Sequence, residues 1–193
     1  MATVVGDLPQ LLQACSTGDE DAFKQLMSFL YGDLRRIAQQ QLRRLRPGHT
    51  LNTTALVHEL YFKLVDRSAL SPRDQGHFLA IAARAMRQIL VDYARRQAVR
   101  SRARGEGDSP QVLVEGLGPC HLEKLLAVNE ALSELARVDE RLVRLAECRF
   151  FAGMTEVETA EAMGLSVRTV QRDWKRARGW LRSFLEADDA PGP

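Results

Sequence analysis

Apolar residues recur at helical spacing along almost the whole chain. Leu8, Leu11, Leu12 and Cys15 fall at i, i+3, i+4 and i+7, the pattern of an amphipathic helix. Thr17-Gly18-Asp19-Glu20 reads as a capping box with an acidic first turn. It opens a long helix over residues 19–44, with Phe23, Leu26, Leu30, Leu34, Ile37 and Leu42 inside, and Pro47-Gly48 breaks the pattern. A third helix over residues 52–66 buries Val57, Leu60, Tyr61, Leu64 and Val65. A loop over residues 67–76 contains Ser71-Pro72, and a fourth helix starts near His77. Its apolar stripe is Phe78, Ala82, Ala85, Ile89 and Tyr93; Arg84, Arg87, Gln88, Val91 and Arg95 lie opposite. Residues 101–120 carry glycine and proline without a helical period and read as a linker. Helices follow at residues 122–138, 139–151, 155–163 and 167–185. No segment alternates as a strand would. The expected fold is all-α: two small helical domains, residues 1–100 and 122–185, a flexible linker at 101–121, and a disordered tail at 186–193.

The 193 residues leave room for one domain or two small ones, and 45% apolar content is too high for a chain disordered throughout. No apolar run of about eighteen residues occurs, so no membrane span is expected. The first residues lack the basic start and apolar core of a secretory signal. Cys15, Cys120 and Cys148 are odd in number and far apart, which excludes a disulfide framework and suits a reducing cytoplasm. The net charge of +2 conceals segregation. Residues 84–104 hold seven arginines and one acid, residues 106–161 hold twelve acids and five basic residues, and residues 168–182 hold six basic residues and one acid. Charge runs often mark solvated helix faces only. Two basic blocks in a near-neutral chain also fit two patches facing a polyanion.

The most specific motif lies between Thr155 and Trp180. Thr155-Glu156-Val157-Glu158 is a capping box, Gly164-Leu165-Ser166 a tight turn, and Ser166 a cap for the next helix. In that helix Val170, Trp174, Ala177 and Leu181 form the buried stripe. Arg168, Thr169, Gln171, Arg172, Lys175 and Arg176 remain for the outer face, the layout of a helix-turn-helix whose second helix enters the major groove. Arginine there reads guanine or neutralises phosphate, and glutamine pairs with adenine. A second candidate surface is the fourth helix, where Arg84, Arg87, Arg95 and Arg96 suit a phosphate backbone and His77 and Gln88 suit unstacked bases. His77 also reads as a simple helix cap.

Several segments together resemble a known family. They are Gly18-Asp19-Glu20-Asp21-Ala22-Phe23, Ala55-Leu56-Val57-His58-Glu59-Leu60-Tyr61-Phe62-Lys63-Leu64, His77-Phe78-Leu79-Ala80-Ile81-Ala82-Ala83-Arg84-Ala85-Met86-Arg87 and Arg149-Phe150-Phe151-Ala152-Gly153-Met154-Thr155 with the helix after it. In this order the chain resembles an RNA polymerase sigma factor of the extracytoplasmic-function (ECF) subfamily. The resemblance implies a first domain that binds the β′ clamp helices of core RNA polymerase and melts the −10 element. It implies a second domain that binds the −35 element and the β flap, with the linker running toward the RNA exit channel. By the same resemblance, the third helix binds the clamp, the loop at 67–76 and the helix from His77 handle −10 DNA, and the last helix reads −35. The protein would work in the bacterial cytoplasm on promoter DNA.

One departure stands out. Family members carry acids at the start of the clamp-binding helix; here the matching residues are Asn52-Thr53-Thr54-Ala55, followed by His58 and Glu59. Phosphorylation of Thr54, or of Thr53, by a Ser/Thr protein kinase would restore about −1.5 to −2 charges at a helix N-terminus. Plain N-capping by Asn52 or Thr53 accounts for the same residues, and the two readings are compatible. An anti-sigma partner stays open. The sequence offers no nucleophile with its base, no phosphate loop and no metal-ligand spacing; Cys120-His121 lacks partners. No cofactor, metal or enzyme activity is expected. The competing reading is a free-standing helix-turn-helix regulator with an N-terminal sensor or dimerisation domain, which leaves the first basic block unexplained.

Overall fold

A computed structural model describes residues 7–45, 52–65, 71–103 and 119–188. Every regular element among them is helical: α1 (Leu8–Ser16), α2 (Glu20–Phe29), α3 (Tyr31–Leu45), α4 (Thr53–Val65), α5 (Gln75–Ala103), α6 (Pro119–Val138), α7 (Glu140–Ala146), a π-helical turn (Glu147–Phe151), α8 (Glu156–Met163) and α9 (Val167–Asp188).

Local chemistry sets most of the boundaries. Asp19, not Thr17, caps α2: its carboxylate accepts from the Asp21 and Ala22 N–H groups. The Thr17 hydroxyl instead donates back to the Ala14 carbonyl, closing α1. The single helix expected over residues 19–44 is two, joined at Leu30, whose backbone leaves the helical region at φ −93°, ψ 9°. Leu30 is fully buried and accepts at its carbonyl from Leu34 N–H, so one apolar anchor serves both helices and hides the break from the periodicity. The α5 start lies earlier than His77, because Asp74 caps it by accepting from His77 N–H at 2.7 Å. The linker expected at 101–121 loses both edges to helices: Ala103 ends α5 and Pro119 opens α6. Residues 104–118, 67–70, 189–193 and Pro47-Gly48 lie outside the described residues. Of the tail, residues 186–188 are the last turn of α9.

The long helix α5 is the axis of the molecule. Phe78, Ala82, Ala85 and Ile89 are buried as the stripe predicts, but so are Met86, Arg87, Leu90 and Val91. Arg87 and Val91 were expected on an outer face. That face is covered in part: α3 and α4 pack against α5, and so do α6, the π-helical turn and α8, which bury Arg87 and Val91 but leave Arg84 and Arg95 exposed. Leu34, Ile37, Leu60, Met86, Leu90, Leu125, Leu135 and Phe151 belong to one contiguous hydrophobic cluster. A smaller cluster of Leu145, Ala160 and Val170 joins α7, α8 and α9.

Candidate nucleic-acid interface

The segment from Thr155 to the end of α9 has the expected local chemistry. The Thr155 hydroxyl accepts from Glu158 N–H, and the Glu158 carboxylate accepts from Thr155 N–H at 2.7 Å, a complete capping box. That backbone hydrogen bond, reinforced by the Thr155 hydroxyl, holds the Glu158 carboxyl below its ordinary range. Gly164 ends α8 with φ +66°, ψ +37°, a left-handed residue that reverses the chain within three positions. Ser166 then accepts from Thr169 N–H at 3.1 Å and starts α9.

On α9, Val170 and Ala177 are fully buried and Trp174 is half-buried. Arg168, Gln171, Arg172, Lys175 and Arg176 are exposed and Thr169 is half-buried, its hydroxyl 2.9 Å from that of Ser166. At i, i+4, i+7 and i+8, Arg168, Arg172, Lys175 and Arg176 share one face. The Gln171 amide donates to Glu156 on α8 at 2.7 Å, so its acceptor oxygen and remaining N–H face away from that contact.

Beneath this face sits a residue that the sequence reading overlooked. Asp173 is completely buried. Its Oδ1 lies 3.1 Å from Arg172 Nε and 3.7 Å from Arg176 Nη1, and its Oδ2 lies 2.9 Å from Arg141 Nη2 on α7. The Arg141 contact is an ion pair whose angle is not that of a hydrogen bond. One carboxylate thus orients two arginines of the basic face and ties α9 to α7. Its position, three after Val170 and four before Ala177, places it in the buried stripe, and an acid in that phase was the available signal.

The candidate residues of α5 divide. Arg95 and Arg96 are exposed, Gln88 is half-buried, and Arg84 is largely exposed. Arg87 is not available to DNA in this arrangement. Only 4% exposed, it donates to Glu147 at 2.6 Å and to Asn129 at 2.6 Å. Arg84 approaches the same Glu147 oxygen at 3.7 Å. Glu147 and Asn129 are themselves buried, and neither was anticipated. His77 is half-buried; its Nδ1 accepts from Arg73 N–H at 3.2 Å. Burial first, then the Arg73 charge, pushes its pKa down, with Arg144 helping and Asp74 opposing. A cleft of about 450 Å³ separates this part of α5 from α7 and α8, with Arg73, His77, Arg84, Arg141 and Arg144 on its walls.

The third candidate surface is α4. Asn52 caps it, its side-chain oxygen accepting from Ala55 N–H at 2.9 Å. Thr53 is half-buried, while Thr54, His58, Glu59 and Phe62 are exposed. Thr54, His58 and Phe62 form an i, i+4, i+8 stripe beside an apolar groove of about 540 Å³ walled by Met27, Tyr31, Val57 and Tyr61.

No metal cluster of three or more His, Cys, Asp or Glu side chains occurs among the described residues. None of their helices is long and apolar enough to cross a membrane.

Among the described residues the fold is all-helical, and α9 presents a basic face after a capped turn. The comparison with protein families makes this specific. The chain matches the model for ECF sigma factors over residues 5–187, and it belongs to that family. Its role therefore lies in transcription initiation, and the family is non-catalytic. No curated protein and no solved structure matches the chain.

Proposed function

We propose that the chain is a promoter-specificity subunit that acts with core RNA polymerase in the bacterial cytoplasm. The carrying observation is the α9 face: five exposed polar or basic side chains on a helix held by its capped turn and by Asp173. In this reading α8, the Gly164–Ser166 turn and α9 form the helix-turn-helix, with Arg168, Gln171, Arg172 and Arg176 toward −35 base edges and Lys175 and Thr169 toward phosphates. The α5 residues His77, Arg84, Arg87, Gln88, Arg95 and Arg96 belong to −10 recognition. The residues before 104 and after 118 would act as two DNA-binding units joined through 104–118. Asn52, Thr53, Thr54, His58 and Glu59, with the apolar groove beside them, form the surface for the polymerase β′ clamp helices, and the later helices meet the β flap.

The test is DNA binding with and without core polymerase. A sigma factor gives a promoter complex only when core is present, whereas tight, sequence-specific duplex binding by the chain alone supports the free-standing regulator instead.

The same reading includes a threonine switch. Thr54 is exposed in the first turn of α4, where a phosphate would meet the helix dipole and basic residues of the clamp. Phosphorylation by a Ser/Thr kinase is proposed to raise affinity for core, and Thr54→Ala to abolish that gain. Affinity measured over a salt series with phosphorylated and unmodified protein decides it. Equal affinities at low salt leave Asn52, Thr53 and Thr54 as helix-capping residues only.

A further inference from the structure

The cleft between α5, α7 and α8 gathers positive charge that its own carboxylates leave partly unmatched. Its volume of about 450 Å³ falls in the range usual for small-molecule sites, about 300–1,000 Å³. Arg73 comes from the segment before α5, His77 and Arg84 from α5, and Arg141 and Arg144 from α7. Glu140 and Glu147 share the walls. Glu147 is committed to Arg87 at 2.6 Å and reaches Arg84 only at 3.7 Å. Arg141 is committed to Asp173, although its Nε is buried without a hydrogen-bond partner. The Arg73 guanidinium meets a neutral group, the Ala162 carbonyl, at 2.9 Å. Arg144 is exposed, and among the described residues its side chain has neither a hydrogen bond nor an ion pair.

Like charges gathered this way repel, and a neighbour registers it. Arg73 and Arg144 both push the His77 pKa down, after burial, and Asp74 alone opposes them. A cleft lined by an excess of one sign concentrates counter-ions. The His77 Nδ1 accepts from the Arg73 N–H, which leaves Nε2 as the ring's donor. Guanidinium forks beside an imidazole N–H match the oxygens of a phosphate in both charge and geometry. The rest of the wall is apolar and includes Ile81, Met163 and Leu165. A bare phosphate has no use for that wall, whereas a flat, uncharged ring does.

We propose that this cleft binds a nucleoside di- or triphosphate, with its phosphates on Arg73, His77 and Arg144 and its base against Ile81, Met163 and Leu165. Arg84 and Arg141, already leaning on carboxylates, add longer-range attraction. No divalent cation is needed, because the arginines supply the neutralising charge. The proposal does not rest on the sigma reading, although His77 and Arg84 occur in both. A polynucleotide offers the same phosphate chemistry. The free nucleotide is favoured because the cleft has the volume of one small molecule and sets an apolar wall beside its cations.

Isothermal titration of the full chain, without core polymerase and without Mg2+, tests it. ATP, GTP, pyrophosphate, adenosine and a short A/T-rich single strand serve as separate probes. The expected result is one-to-one binding of ATP or GTP, roughly tenfold or more tighter than pyrophosphate or adenosine. Arg144→Gln is expected to weaken nucleotide binding by roughly tenfold or more, the worth of one hydrogen bond to a charged group. Its side chain is exposed, so the variant keeps the wild-type fold, which a thermal melt checks. Arg73→Gln, from a different segment, is expected to act in the same way. Arg182→Gln removes the same charge outside the cleft and leaves binding unchanged. A wild-type chain that binds neither ATP nor GTP overturns the proposal. Equal weakening by Arg144→Gln and Arg182→Gln also overturns it, since only diffuse charge is then at work. Pyrophosphate binding as tight as that of ATP overturns the assignment of the apolar wall to a base. Single-strand binding that Arg144→Gln weakens, without nucleotide binding, overturns the proposal and returns the cleft to nucleic acid. None of these readouts involves promoter-directed transcription, so the sigma reading stands or falls separately.

Discussion

A single carboxylate governs how α9 presents its charge. Asp173 is buried while its three arginine partners remain between two-fifths and two-thirds exposed at their side chains. Replacing it with alanine removes the anchor for Arg172 and Arg176 and strands Arg141. Asp173→Ala is expected to destabilise the fold by roughly 1.5–3 kcal/mol, the value of hydrogen bonds to charged groups, in urea denaturation. Arg172→Ala behaves in the opposite way. Its own side chain is about two-thirds exposed and buried Asp173 keeps Arg141 and Arg176, so the pair contributes little to folding, about 0–1 kcal/mol, and stability stays near wild type. Its expected cost is about 1–3 kcal/mol of discrimination between cognate and mutated −35 sequences, measured as the ratio of their affinities in the core complex. If Arg172→Ala weakens both sequences equally, Arg172 contacts phosphate and the base reading passes to its neighbours. Trp174 is half-buried, so Trp174→Ala costs less than the loss of a fully enclosed tryptophan.

Among the elements, the α8–α9 turn depends on features visible in the chain. Gly164 holds φ +66° with no neighbouring atom where a Cβ would go, so any cost of substitution is backbone strain alone. Gly164→Ala is expected to lose about 1–2 kcal/mol, and Gly164→Asn less, because asparagine tolerates the left-handed region. Thermal melts of the two variants compare them directly. The capping box sets an acid limb. The Glu158 carboxyl titrates lower in the folded protein than in the unfolded chain. Its contribution is therefore fully present above the unfolded value and disappears as pH falls through the folded one. Thr155→Ala and Glu158→Gln should both flatten that limb in a stability-against-pH series, and Thr155→Ala costs about 0.5–2 kcal/mol near neutrality.

The elements also show what periodicity carries and what it omits. Helices α4, α8 and α9 follow from apolar spacing and caps, because one buried stripe and one cap suffice to define each, and α1 follows from its apolar spacing alone. The break at Leu30 is silent, since a leucine that belongs to both buried faces keeps the period intact. Helix α5 misleads for a different reason. A helix covered on two sides keeps only a narrow outer face, here Arg84, Asp92, Arg95 and Arg96, and an arginine beside it pairs inward when an acid is supplied from far along the chain. Arg87 and Glu147 are sixty positions apart, beyond any local pattern. The α9 surface was legible because its basic residues recur at i, i+4, i+7 and i+8. Asp173 was legible in phase but was overshadowed by the bulkier Trp174 beside it.

At the scale of the whole molecule there are three surfaces: the α4 stripe with its apolar groove, the basic face of α9, which packs on α6, α7 and α8, and the arginines of α5 held by Glu147. The first two are open to partners in this arrangement and Arg87, in the third, is not. The segregated charge of the sequence acquires a spatial meaning from this, since the acidic stretch supplies the carboxylate that pairs with Arg84 and Arg87, two of the seven arginines of the first basic block. Family membership places the molecule in transcription initiation, and its proposed role is to direct core polymerase to particular promoters. Run-off transcription from a promoter library with purified core tests it most directly. The account predicts transcripts that start at a shared upstream sequence, appear only when chain and core are both present, and lose that sequence preference with Arg172→Ala. Transcripts independent of the chain, or unchanged start-site preference across substitutions of Arg168, Gln171, Arg172 and Arg176, would contradict it.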